Sequence, residues 1–471
     1  MSIPPHGLPR LLPADPPQEL AEHVDRYGPI PFRGRPRGGG HHHGAGGGRG
    51  GGGGGGGRGG EGLLVDSVER AGLTGRGGAE FPLARKMRAV LASSRRALGD
   101  RGGTVVVANG TESEPISVKD RSLLTAAPHL VLDGISLAAE SVGGAVAYLC
   151  VAAGDGVLRQ GLSAALAQRK RAGVDTVPIH ITAVPAGYVS SEESALVHLL
   201  NGGPALPTFV PPRPFDKGVR GRPTLVSNVE TLAHVALIAR YGAAWFRAVG
   251  TPAAPGSALV TVAGAVQRPG VTEIALGVDL REVLGATGGP SEPPQAILAG
   301  GYFGGWVPAN GALALRVSGP ELRAAGASLG AGILAVLPES ACGLAETARV
   351  ARYLAGQSAG QCGPCVNGLP AIADALERLA WRGADARTYK WLGQLLGLVE
   401  GRGACHFPDG AARFVASALR VFSADVREHL RRGPCDRVRR PGVIPVPDAG
   451  HGAGTDESGR RSRRAAARVT T

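Results

Sequence analysis

Long uninterrupted apolar runs are missing from this 471-residue chain. None reaches the ~18 residues that a membrane-spanning helix needs, and the apolar region near Leu130 is broken by Asp133 and Glu140. The N-terminus, MSIPPHGLPRLLPADPP, has neither the cationic start nor the apolar core of an export signal. Cysteine is scarce too: six residues, none spaced like a secreted disulfide framework, which fits a reducing, cytoplasmic setting. Any membrane role must then run through partners. Acidic residues are outnumbered, 38 against 51 Lys and Arg, for a formal charge of +13. The excess lies mostly at the ends. Residues 1–62 carry seven Arg and five acids (+2), and residues 431–471 carry ten Arg and four acids (+6), leaving +5 for the middle. No basic face interleaved with aromatics occurs there, which speaks against a nucleic-acid function.

Glycine, by contrast, is abundant, at 76 residues. Much of it sits in one block, Arg37 to Gly62, whose composition cannot bury apolar surface and predicts a flexible linker. His41, His42 and His43 inside the block read as solvated. The rest has the composition of a soluble globular protein, 43% apolar and 19% charged.

Residues 63–251 alternate between strand and helix patterns. GTVVVANG (Gly103–Gly110), AVAYLCVAAG and VPIHITAVP read as strands, and HLVLDGISLAAESVG between the first two as a helix. Such alternation predicts a mainly parallel sheet covered on both faces, with a ligand at the loops beyond the strand ends. Residues 252–338 read as a compact β-rich module with one helix. Residues 339–432 are helical: Leu369, Ile372, Leu376 and Leu379 recur at three- and four-residue steps. Residues 433–471 are predicted to be a disordered basic tail.

Four motifs carry the chemistry. GLTGRGGAEFPLARK (Gly72–Lys86) is a glycine-rich turn whose successive N–H groups can cradle an anion, with Lys86 as an added charge. VVVANGTESEPISVKDRSLL follows at Val105, AGYVSSEESALVHLLNG at Ala186 and GRPTLVSNVETLAHV at Gly221. In this order they resemble the flavoprotein subunit of respiratory NADH dehydrogenase and its relatives in NAD-reducing hydrogenases and formate dehydrogenases. The likeness spans about residues 66–432. It implies an FMN-binding α/β domain, a β-grasp soluble-ligand-binding domain and a helical bundle carrying an iron–sulfur site.

The resemblance also implies roles for particular residues. The FMN loop falls on Gly75, Arg76, Gly77 and Gly78, with its lysine at Lys86 and a nicotinamide-side ring at Phe81. Asn109, Glu112 and Glu114 match a second motif, where Thr111 replaces an Asp. Tyr188, Glu192 and Glu193 match a third, and Asn228, Glu230 and Thr231 a fourth, with Ser227 in place of an Asn. Glu114 and Glu193 are expected to border the nicotinamide. The family's dinucleotide-seating loop reads TFVPPRP here, with Val210 replacing a Lys and Arg213 an aromatic ring, so the donor bound directly stays open: NADH, NADPH or neither.

AGQCGPC, with Ala359 where the family has a first cysteine, keeps Cys362 and Cys365, and the distal cysteine falls on Cys405. Three thiolates suit a [4Fe–4S] cluster with a foreign fourth ligand, or a [3Fe–4S] cluster. His406, Cys342 and Cys435 are candidate fourth ligands. A zinc site through Cys362, Cys365, Cys405 and His406, a thioredoxin-like pair and a metal-free degenerate site remain alternatives. Cys150 reads as core. The expected function is electron transfer from NAD(P)H through FMN to the cluster. A ferredoxin-like protein or a membrane complex would receive the electrons. The competing reading is a docking subunit without redox activity.

Overall fold

The computed structural model describes residues 7–17, 19–31, 59–96 and 102–447. The glycine block up to residue 58 and the tail from 448 lie outside the described residues. After a short helix α1 (Leu20–Tyr27), α2 (Gly59–Ala71) and α3 (Leu83–Arg96) lead into the α/β unit. The predicted linker is thus shorter than expected, since its last residues are already helical.

The unit continues β1 (Thr104–Gly110), α4 (Lys119–Ala126), α5 (Pro128–Val142), β2 (Gly144–Ala152), α6 (Gly156–Ala172) and β3 (Ile179–Val184). α7 (Glu193–Leu200), β4 (Thr224–Asn228) and α8 (Val229–Arg247) complete it. The four strands are parallel in the order β3-β2-β1-β4. β1 is central, and six of its seven residues are buried, as its β-branched run requires when both sheet faces are covered. α5 is buried nearly all round because α8 packs hard against it. A Cβ at Gly134 would lie 1.9 Å from the Leu232 carbonyl oxygen, so only glycine permits that approach. Among the described residues no single helix is long and apolar enough to cross a membrane. The pair α4 and α5 passes on composition alone, is bent by 97° and is largely core.

The chain reverses its strand order between β1 and β4. β1 leads outward to β2 and β3, then β4 returns to the other side of β1, and in register Asn109 lies opposite Asn228. At such a switch point two loops diverge beyond the strand ends and leave a crevice.

A five-stranded mixed sheet follows, in the order β6-β5-β9-β7-β8: β5 (Ser257–Gly264), β6 (Gly270–Ala275), β7 (Pro294–Ala299), β8 (Gly305–Pro308) and β9 (Ile333–Pro338). α9 (Leu280–Ala286) covers it, with short turns α10 (Ala309–Ala312) and α11 (Gly319–Ala324) beside it. The last unit is a bundle of α12 (Gly343–Gly356), α13 (Leu369–Glu377), α14 (Ala386–Val399), α15 (Phe407–Val421) and α16 (Ser423–Arg432). Trp306 of β8 seats the sheet on the bundle: it is fully buried, packs edge-on against Phe422 and donates its indole N–H to Thr347 at 3.1 Å.

The expected tail behaves differently up to residue 447. Residues 433–447 form a strap over the bundle. Ile444 is fully buried, and the amides of Val443 and Ile444 donate to Glu346 at 3.1 and 2.9 Å. Two short apolar residues inside a basic, Pro-rich stretch are enough to dock it.

Candidate functional site: a crevice and a thiol triad joined by one loop

The glycine loop closes one side of the crevice. Gly75 donates its N–H to the Phe81 carbonyl at 2.9 Å, and the Arg76 amide donates to Thr231 Oγ1 at 2.8 Å. Gly78 sits at φ +112°, which a side-chain-bearing residue rarely adopts, and a Cβ at Gly77 would press on Asn228 at 3.1 Å. The loop therefore offers its backbone to the crevice. The Arg76 guanidinium does not: it is buried and donates to the Ser257 carbonyl at 3.1–3.2 Å, tying the loop to the second sheet.

Several other motif residues also hold the frame. Glu112 accepts from the amides of Asp120 (2.9 Å) and Arg121 (3.0 Å) and so caps α4. Burial, then the Asp120 charge, raises its carboxyl above the usual range. Glu192 caps α7 through the amides of Ser194 and Ala195. Asn228 caps α8 at the Glu230 amide (3.0 Å) and donates to Asp120 at 2.6 Å, while Asn109 reaches the Ser191 carbonyl at 2.9 Å. Beneath them Lys119 lies buried against Asp120 (2.6 Å) and Glu230 (2.8 Å). Burial opposes its charge, but the two carboxylates outweigh that and hold its ammonium above the ordinary lysine range.

Lys86, Glu193 and Phe81 remain accessible. The Lys86 ammonium pairs with Glu193 at 2.5 Å and donates to the Val226 carbonyl at 3.0 Å, both charged groups partly exposed. Phe81 is 47% exposed. Thr111 is only 4% exposed, and its hydroxyl has no hydrogen-bond partner among the described residues. A buried hydroxyl without a partner costs about 1–3 kcal/mol, so a polar ligand in the crevice would recover that cost. Backbone amides, an ammonium and this hydroxyl fit the phosphate, ribityl and polar edge of a flavin mononucleotide.

Glu114 lies deeper. Its carboxylate accepts from the Tyr188 hydroxyl and from the Tyr302 amide at 3.3 Å. Burial pushes its carboxyl up to about 7, against the lowering effect of both bonds. Tyr188 stands in an aromatic cluster with Tyr302, Phe303, Tyr353 and Phe407, drawn from all three units.

The loop carrying Tyr188 and the two glutamates also touches the second site. The Tyr188 amide donates to Gln357 at 3.1 Å, just before Ser358 and Ala359, and the Glu192 charge acts on the Cys405 thiol. Cys362 and Cys365 open a single wide helical turn, Pro364–Gly368, and Cys405 precedes α15. The Cys362 and Cys365 thiols share a hydrogen bond, and Cys405 is close enough to interact electrostatically with both. Burial pushes Cys365 up to about 12, with the negative charge of Cys362 adding to it. Burial would raise Cys362 too, but hydrogen bonds from the backbone at Ala404 and Cys365 prevail and hold it below the usual thiol range. Three thiols placed to repel one another as thiolates are soft donors of the kind that a shared cationic centre would hold.

None of the candidate fourth ligands points to this triad. His406 is fully exposed and faces Asp409 at 3.3 Å, while Cys342 and Cys435 gather around His429. Sequence spacing missed Ser358, whose hydroxyl donates to Cys365. It lies one residue from the lost cysteine and carries no motif of its own.

The whole arrangement has known counterparts. Residues 68–237 match the model of the Nuo51 FMN-binding domain, 259–302 the SLBB domain, and 340–429 the NADH-ubiquinone oxidoreductase-F iron-sulfur binding region. The second F-type subunit of NADH-quinone oxidoreductase in Rhizobium meliloti is 29% identical over 384 residues, covering 79% of this chain and 90% of that one. The F-type subunit of the Mycobacterium bovis NADH-quinone oxidoreductase is 30% identical over 394 residues, covering 79% and 85%. A chain of the NAD+-reducing [NiFe]-hydrogenase in its H2-reduced state superposes with a TM-score of 0.70 at 31% identity, over 87% of this chain and 67% of that one. The order of domains and the identities together place the chain: it belongs to the family of F-type flavoprotein subunits of NADH-quinone oxidoreductase.

Proposed function

We propose that the protein oxidises NADH at the β1–β4 crevice and passes the electrons one at a time to an iron–sulfur centre in the helical bundle. The observation that carries this is the Tyr188–Glu193 loop. Its Glu193 pairs with Lys86 in the crevice, and the neighbouring Glu192 acts on Cys405. FMN, when bound, supplies the conversion between two-electron and one-electron chemistry. Gly77 and Gly78 would hold it by backbone amides and Lys86 by charge, while Gly75, Asn109, Asn228, Thr231, Arg76, Glu112 and Glu192 keep the loops in place. Cys362, Cys365 and Cys405 would hold a [4Fe–4S] cluster, with Ser358 or solvent at the fourth iron.

Glu193 releases Lys86 when a phosphate competes for the ammonium. Glu114, poised near neutrality under the Tyr188 hydroxyl, borders the pocket for the nicotinamide ring, with Phe81 at its mouth. We further propose that Arg213, exposed in the loop after Phe209, meets a dinucleotide phosphate and admits NADPH beside NADH. The protein works as one subunit of a larger redox assembly. Its acceptor is proposed to be a ferredoxin-like or comparable subunit in the cytoplasm, from which a membrane complex can be reached.

The test is the visible spectrum of the protein purified without oxygen from cells supplied with cluster-assembly machinery. Flavin bands with a broad iron–sulfur shoulder, bleached by NADH, are expected. A colourless protein would sink the proposal in favour of a docking subunit. Parallel titration with NADPH decides the role of Arg213.

A further inference from the structure

A second group of soft ligands lies apart from the thiol triad. Cys342 stands at the start of α12, His429 sits in the last turn of α16, and Cys435 opens the strap. Their ligand atoms all lie within 4.8 Å of one another. Cys342 and His429 are buried, at 2% and 1% exposure, and Cys435 is half-buried. Cys342 Sγ stands 3.9 Å from His429 Nε2. In a tetrahedral site with metal–sulfur and metal–nitrogen bonds of about 2.3 and 2.0 Å, neighbouring ligands stand roughly 3.5–3.8 Å apart. Such a spacing leaves room for one ion and none for a cluster.

The histidine is already in the right state. His429 Nδ1 meets the Leu379 carbonyl oxygen at 2.9 Å, so Nδ1 carries the proton and the Nε2 lone pair faces the two sulfurs. A backbone carbonyl behind the distal nitrogen is the usual support of a metal-bound imidazole. The Cys435 amide, 3.3 Å from Nε2, is the present partner of that lone pair and would give it up to an ion. Arg437 donates to the Cys435 sulfur and is balanced by Asp425 at 2.7 Å, so the outer ring of the group stays near neutral.

We propose that Cys342, His429 and Cys435 bind one zinc ion that clasps the strap to the bundle, with solvent in the fourth position. Two thiolates neutralise the dication, and two protons leave to solvent as it binds. The clasp has a reach beyond itself. Past Cys435 the strap docks on Glu346, and the Pro445 carbonyl then accepts from the Tyr302 hydroxyl, whose own amide holds Glu114. Zinc at this point would therefore fix the position of a residue next to the crevice.

The test counts metals in the full-length protein purified without chelators. About one zinc per chain is expected, independent of the iron content. Cys342→Ser and Cys435→Ser should each lose it while keeping flavin and iron. Joint replacement of His41, His42 and His43 by Ala should leave the zinc in place. Cobalt reconstitution should give thiolate charge-transfer bands in the native chain and none in the Cys435→Ser chain. Limited proteolysis after chelation should release the strap. Less than about a tenth of a zinc per chain would overturn the proposal, whether the thiols are then free or joined as a Cys342–Cys435 disulfide. Full zinc retained by Cys435→Ser would overturn it as well.

Discussion

The two ends of the relay are built from different materials. The crevice is made of backbone: a glycine loop, three capped helix starts and two loops diverging from adjacent strands, with most motif side chains employed in holding that backbone still. The thiol triad is made of three side chains, two of them set by one wide helical turn, Pro364–Gly368, in the bundle. A backbone site tolerates the exchange of single side chains, as Thr111 and Ser227 illustrate. A side-chain site loses a ligand outright with every exchange, as Ala359 does.

Breaking the comparison is simplest at the triad. Cys365→Ser should abolish bound iron and leave the flavin bands intact, measured by iron content and absorbance. A matching loss of flavin would mean that the two ends are not separable.

Glu114 tests the region between them. Its carboxyl is raised to about 7, so the folded state binds a proton more tightly than the unfolded chain does. The stability from this proton is fully present below the ordinary glutamate range near 4.5 and is lost as the pH rises toward 7, a change of about 3 kcal/mol. Glu114→Gln should remove this slope: denaturant unfolding should find the variant close to the native protein at about pH 4.5 and more stable at about pH 8. An unchanged slope would refute the burial argument.

At the crevice, Lys86→Met should lower kcat/KM for NADH-driven flavin bleaching by about tenfold, or about 1.4 kcal/mol, with iron unchanged. Thr111→Val should have the smallest and most revealing effect. Relieved of an unpaired hydroxyl, the flavin-free protein should gain about 1 kcal/mol, while flavin retention on dialysis falls several-fold. If both properties stayed put, the hydroxyl would not face the ligand. Ala359→Cys sharpens the comparison from the other side. It should raise the iron content of a three-thiolate centre or leave it at four with a shifted potential, read by iron assay and redox titration.

Much of this is legible in the residues. The TVVVANG run announces a strand of a covered sheet that feeds a loop, and the family resemblance groups Cys405 with Cys362 and Cys365. Motif letters cannot reveal direction. Arg76 stands in the loop most suggestive of phosphate binding, yet its guanidinium serves the contact with Ser257, because a fully buried cation needs carbonyl partners and finds them there. The strap reads as a disordered tail because its Arg and Pro content hides Val443 and Ile444, whose docking depends on Glu346 almost a hundred residues earlier. The Cys342–His429–Cys435 group is invisible in the sequence for a similar reason. Only the closing of the bundle brings together residues separated by up to 93 positions.

The buried lysine under the crevice has a consequence for anyone dissecting the molecule. Lys119 is neutralised by Asp120 and by Glu230, and Glu230 in turn receives the Leu259 amide of β5 at 2.9 Å. Cutting the chain near residue 251 would strip that amide, together with the carbonyl that satisfies Arg76, and leave charged groups facing a freshly wetted surface. Domain-by-domain expression would then yield an insoluble first half, and fragments must carry at least the β5–β6 hairpin to stay in solution.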